Sequence, residues 1–213
     1  MPTCPPAFLR ASAHARCAAA AVALCGPAGA GALPVDVSVT DSAGRPLADA
    51  IVSIVLRGQP STAPAGTKVE IAQDHRKFEP PITVIQTGTG VVFPNFDTVR
   101  HQVYSFSPIK RFELKLYAGI PGYAVVFDKP GTATLGCSIH DKMRAWVHVV
   151  DTPVYGRTDA AGKVHLDVPE GDHQLQAWHF RQAEGDAPLV QPLHVAGAGA
   201  RAAIPLVVND APQ

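Results

Sequence analysis

Cys137, His140 and Met143 stand three residues apart in the run Gly136-Cys137-Ser138-Ile139-His140-Asp141-Lys142-Met143. A thiolate, an imidazole and a thioether at that spacing make a soft donor set. Such a set selects a metal with an affinity for sulfur over a hard, oxygen-seeking cation. With residues 1–32 set aside as a leader, Cys137 is the sole cysteine and Met143 the sole methionine of the remaining chain.

Copper asks for this combination. Cu(I) prefers soft sulfur, imidazole suits both oxidation states, and a site of two His and one Cys with a long axial Met serves both. Electron transfer through such a site is fast only if the donors do not rearrange, so rigid strands must hold them. A short loop between paired strands can point Cys137, His140 and Met143 at one ion. The fourth donor must come from elsewhere, and the best candidate is His101, at the start of the run His101-Gln102-Val103-Tyr104.

The elements that would position these residues are strands. Val35, Val37 and Val39 alternate with Asp36, Ser38 and Thr40, the period of a half-buried strand. Ala48 to Leu56 reads as a second strand, and Gly58 to Gly66 as an exposed linker rich in Pro, Ser, Thr and Gly. Strands are also expected at 68–72, from Phe78 through Pro80-Pro81 to Val84, and at 91–93, 101–105, 112–116 and 124–127. Residues 133–137 and 145–150 would flank the donor loop. After Pro153, Val164 to Trp178 reads as two strands joined at Pro-Glu-Gly, and 190–195 and 202–208 add two more. No amphipathic helix of useful length appears, so the expected fold class is all-β.

The N-terminus reads as a secretory leader. Arg10, His14 and Arg16 precede the apolar run 17–25, and small residues 28–32 follow it. Its apolar run is too short for a permanent membrane span, and no other stretch is long enough. The expectation is an exported, periplasmic protein without a membrane span. Cys4, Cys17 and Cys25 would leave with the leader, so no disulfide could form within the mature chain. An unpaired thiol in an oxidising compartment calls for an occupant, which a metal supplies. The mature balance of 16 basic against 18 acidic residues gives −2 and shows no basic cluster, so no nucleic-acid partner is expected.

Other chemistries fit less of the pattern. Zinc sites favour several Cys or His, and a thioether serves zinc poorly. A Cys137 nucleophile with His140 as its base would leave His101 and Met143 without a role. A lone Cys at a strand end is often only a small buried hydrophobe. Among the other histidines, His75, His165, His173 and His194 read as polar-face or loop positions and His148 as a sheet residue. Trp178-His179 is a weak candidate for a second metal or docking site. Phe96, Val99 and Ile139 flank the donors, either as core or as a docking patch around His140.

Asn95 six residues before His101, followed by Cys-x2-His-x2-Met, resembles the cupredoxins, most closely the amicyanin and plastocyanin group. The run from Val92 to Pro153 is similar to bacterial cupredoxin-like proteins labelled methylamine utilisation or plastocyanin-like. The resemblance makes His101, Cys137 and His140 equatorial copper ligands and Met143 the axial one. It also makes Asn95 a residue that ties the ligand-bearing loops together. Gln102 departs from the Asn that many cupredoxins carry after the first ligand histidine.

Thr158-Asp159-Ala160-Ala161-Gly162-Lys163 echoes Thr40-Asp41-Ser42-Ala43-Gly44-Arg45, and Val-Pro-Glu-Gly follows. These turns resemble a carboxypeptidase-regulatory-like, or transthyretin-like (Ig-like), β-sandwich. The expected organisation is a leader at 1–32 and a split sandwich from 33–57 plus 152–210. A linker at 58–66 and a cupredoxin Greek-key β-sandwich at 67–151 complete it. A linear order, with a cupredoxin flanked by loose β arms, is the rival.

What the resemblance implies is an exported protein holding one copper and passing single electrons between redox proteins, such as a cytochrome or a dehydrogenase. It would not be an enzyme. The alternative is a protein that carries or buffers copper without electron transfer.

Overall fold

The computed structural model describes residues 1, 31–183 and 185–209. The expected leader, with Cys4, Cys17, Cys25 and His14, lies almost wholly outside the described residues. Within them the secondary structure is strand apart from one 3₁₀ turn, Leu56–Gly58. No helix among the described residues is long and apolar enough to cross a membrane.

In chain order the strands are β1 (Ala32–Asp41), β2 (Ile51–Val55), β3 (Lys68–Glu70), β4 (Ala72–Asp74), β5 (Lys77–Glu79) and β6 (Ile82–Gln86). There follow β7 (Gly90–Val92), β8 (His101–Ser105), β9 (Phe112–Tyr117), β10 (Val125–Val126), β11 (Gly131–Gly136) and β12 (Arg144–Val150). The last are β13 (Tyr155–Arg157), β14 (Lys163–Pro169), β15 (Gly171–Trp178), β16 (Leu189–Val195) and β17 (Ala200–Leu206).

Strands from the two ends of the chain share sheets. β1 lies between β14 and β17, and β2 between β13 and β15, with β16 at the edge. The alternating valines of β1 turn inward and meet Val52, Ile54, Leu175, Leu193 and Ile204 in one apolar core. The echoed turns share one device. Asp41 Oδ1 accepts the backbone N–H groups of Ala43 and Arg45, and Asp159 Oδ1 those of Ala161 and Lys163, all at 2.9 Å. Gly162 sits at φ +69°, where a Cβ would lie 2.4 Å from the carbonyl oxygen of Val39.

The strands between residues 68 and 150 build separate sheets, in the orders β6-β12-β11-β8-β9 and β10-β7-β3, with β4–β5 as a small hairpin. Their inner faces bury Phe78, Phe93, Phe127, Leu135 and Val147 together with Cys137 and Met143. β12 is covered on both sides. Ala145, Val147 and Val149 enter this core, while Trp146 and His148 face the other sandwich. There the His148 ring stacks on Trp178 at 4.4 Å, and Ile51, Ile82 and Trp178 form a small shared core. Arg157 clamps the junction by donating from Nη2 to the Ile82 carbonyl at 2.7 Å.

Several strands differ from expectation: the run 68–72 divides into β3 and β4 on different sheets, and β13 was not foreseen. The expected second strand begins at Ile51 instead of Ala48, because Asp49 at φ +62° belongs to a turn. The run 78–84 splits into β5 and β6 on different sheets at Pro80-Pro81, since proline offers no ladder donor.

Candidate metal centre

Cys137 follows the last residue of β11, and Met143 precedes the first of β12, so both ends of the donor loop are anchored in paired strands. The Met143 N–H donates to the His140 carbonyl at 2.8 Å and closes the loop as a turn. His101 opens β8, which meets β11 at the pair Gly136–Tyr104. A register shift in the β8–β9 ladder lies directly after His101, where an irregular strand re-aims a side chain.

These elements bring His101, Cys137 and His140 together, with one ligand atom of each within 4.8 Å of the others. Cys137 Sγ lies 3.8 Å from Nδ1 of His101 and 3.9 Å from Nδ1 of His140. An ion bound at roughly 2.0 Å to nitrogen and 2.3 Å to sulfur in a near-trigonal plane separates those atoms by about 3.7 Å. The cluster therefore has the dimensions to hold one metal ion. His101 and Cys137 are buried and His140 is part-exposed, its ring 4.9 Å from that of His101. Met143 is 2% exposed and shares an apolar core with Cys137.

The tautomer of His101 is fixed from behind. Its Nε2 lies 2.7 Å from Oδ2 of Asp97, so Nε2 carries the proton and Nδ1 presents its lone pair toward Cys137. Burial opposes the charge on Asp97, but the backbone N–H of Arg76 and the His101 ring outweigh it and hold that carboxyl below its usual value. Asp97 is a part of this arrangement that the sequence reading missed. Its signal was the spacing of four residues ahead of His101, inside the run Asn95-Phe96-Asp97.

Asn95 braces this segment. Its Nδ2 donates to the carbonyls of Val99 and Tyr117, both at 2.9 Å, and its Oδ1 accepts the N–H of Asp97 at 3.0 Å. These bonds tie the 95–99 turn to the end of β9. Beneath it, Gln73 Nε2 and the Tyr117 hydroxyl converge on the Phe93 carbonyl, and burial pushes the Tyr117 hydroxyl up to about 12. Gln102 points elsewhere, donating to Glu113 on β9 at 2.7 Å.

The other histidines have ordinary partners. His75, His165 and His194 are exposed beside Asp74, Asp36 and Asp172. His173 is 4% exposed, unlike the surface position its sequence suggests, because Arg57 N–H and the Pro169 carbonyl engage both ring nitrogens. The ring of His179 likewise contacts the Ala48 carbonyl and accepts the Arg181 N–H, which leaves no free donor for a second metal there.

No family model matches this chain, and no curated protein does. Among solved structures it is similar to a copper-containing nitrite reductase from Thermus scotoductus SA-01. That match has 22% identity and a TM-score of 0.38, covering 55% of this chain and 28% of that one. It is also similar to amicyanin from Paracoccus versutus (22% identity, TM-score 0.33, 46% of this chain and 97% of that one). A reduced mutant form of amicyanin matches at 21% identity and a TM-score of 0.36, over 46% and 97% of the two chains. The chain thus spans little more than a quarter of the nitrite reductase.

Proposed function

We propose that this protein binds one copper ion between His101, Cys137 and His140, with Met143 available as a fourth ligand, and that it carries single electrons between redox proteins. The observation behind this reading is the spacing of the three donor atoms around Cys137 Sγ, in a pocket walled by paired strands. When bound, the metal would supply a one-electron couple. The chain's own residues fix its surroundings. Asp97 orients His101, the β11–β12 turn holds Cys137 and Met143, and the apolar core keeps water from the sulfur atoms.

His140 would be the electron's way out. It is the part-exposed donor, and the apolar side chains of Phe96, Val99 and Ile139 beside the donors are exposed at 62%, 38% and 50%. Exposed apolar side chains beside the donors would suit contact with a partner. The second sandwich, built from both ends of the chain, would act as a scaffold, and no substrate turnover is assigned to either unit. The leader-like N-terminus supports export to the periplasm.

A carrier or buffer of copper is the second reading, since a thiolate between two imidazoles also holds Cu(I) well. Copper titration of ligand variants tests the site itself. His101→Ala should lower affinity by more than a hundredfold, while His165→Ala and His173→Ala should leave it unchanged. Copper retained by His101→Ala would overturn the assignment.

A further inference from the structure

The sequence holds no run of basic residues, yet the fold gathers cations at the donor end. Arg76 sits in the β4–β5 hairpin, and its backbone N–H is bonded to Asp97, the residue behind His101. Arg100 adjoins His101, and Lys142 precedes Met143; all three are exposed. None of the three has an ion-pair partner among the described residues. The carboxylates nearby are mostly engaged, Asp74 by His75 and Asp97 by His101, which leaves Asp141 exposed in the loop.

The whole chain is polarised in the same sense. Residues 67–151 carry ten basic and eight acidic side chains, whereas 33–57 and 152–210 together carry six and ten. The mature net charge is negative while the donor end is positive. Phe96 and Val99 ahead of His101, Ile139 beside His140, and Ile120 next to Gly119, which is bridged to Asn95, are between 38% and 71% exposed. An apolar centre with a rim in which one sign of charge predominates both buries area and steers approach.

We infer that the donor end, with its collar of Arg76, Arg100 and Lys142, is the docking surface for a redox protein with an acidic face. The inference rests on the electron-carrier reading and names the charge class of its partner. In that encounter the bound metal would supply one electron to an oxidised one-electron centre on the partner, such as haem Fe(III), with no proton transferred.

Two measurements test it. The first needs neither metal nor electron transfer: amide NMR of the metal-free protein titrated with hexacyanocobaltate(III), a redox-inert trianion. Shifts should cluster in 74–77, 96–101 and 138–144 and disappear in the triple variant Arg76→Glu, Arg100→Glu, Lys142→Glu. Shifts centred on the split sandwich, or unchanged by the variant, would overturn the inference. The second follows oxidation of the reduced, copper-loaded protein by c-type cytochromes of net negative and net positive charge. The acidic cytochrome should react faster at ~10 mM salt and slow by about tenfold toward ~200 mM, as screening shortens the reach of the field. A faster reaction with the basic cytochrome, or none of this salt dependence, would also overturn it. Oxidation by neither cytochrome would sink the carrier reading and the redox partner with it, while the metal-free shift map still reports the sign of the surface.

Discussion

Asp97 Oδ2 stands 2.7 Å from Nε2 of His101, on the opposite side of the ring from Cys137. A fully buried imidazole is thus fixed between a carboxylate and a thiol. The carboxylate is itself held by the Arg76 N–H, from a hairpin that lies far from the donor loop in sequence. The donor geometry is set by three separate segments of chain.

Asp97→Asn keeps a hydrogen-bond acceptor but removes the negative charge. Copper affinity should fall about tenfold to a hundredfold, measured by competition with a chelator. The reduction potential should rise, because a less electron-rich imidazole favours the oxidised ion less. An unchanged affinity and potential would show that Asp97 does not act through His101.

Gly136 is required by space. A Cβ there would meet the Tyr104 ring at 2.7 Å, one residue ahead of Cys137. Gly136→Ala should destabilise the protein by about 1–3 kcal/mol in urea unfolding, as overpacking does. It should also shift the spectrum of the metal-loaded protein. Adding Tyr104→Ala should restore most of the spectrum, and a double variant no better than Gly136→Ala alone would show that the ring is not the obstacle.

Stability should fall as the solution is acidified toward pH 4. Burial holds the His148 imidazole down to about 3, against 6.5 for an unperturbed ring. Between these values the unfolded chain binds a proton that the folded state refuses, so folding weakens as pH drops through that window and recovers as it rises. The slope approaches about 1.4 kcal/mol per pH unit for this group. His179, lowered to about 4 by burial, acts in the same direction. His148→Phe keeps a ring against Trp178 and should flatten the pH dependence of the urea midpoint between pH 7 and pH 4. An equally steep dependence in the variant would contradict this.

The junction between the sandwiches should report on its own clamp. Arg157→Ala removes the 2.7 Å bond to the Ile82 carbonyl and leaves that acceptor part-buried. A loss of about 1–3 kcal/mol is expected, read from urea unfolding by tryptophan fluorescence, since Trp178 and Trp146 lie at this junction. A change below about 0.5 kcal/mol would mean that the apolar contacts alone hold the two units.

Much of the architecture was legible because alternation is a local signal. Val35, Val37 and Val39 announce the inward face of β1, and the repeated Asp-x-Ala-Gly turns appear in the sequence as they do in the hydrogen bonds. The pairing of β1 with β17 is nonlocal and left only the incompleteness of each end as a clue. Cys137, His140 and His101 could be singled out because their side chains have few uses in common other than holding a metal. Asp97 was missed because a carboxylate near a histidine is ordinary, and only the fold shows which ring nitrogen it faces. His173 was misread although it alternates with Leu175 and Ala177 on the buried face of β15; its polar ring suggests solvent, and only the fold supplies the Arg57 N–H and Pro169 carbonyl that satisfy it.

The visible absorption spectrum of the copper-loaded protein tests the central claim most directly. A thiolate from Cys137 bound to Cu(II) between His101 and His140 should give an intense blue band that is bleached by one electron, restored on reoxidation and absent from Cys137→Ser. A colourless Cu(II) form, or a blue band that survives in Cys137→Ser, would contradict it.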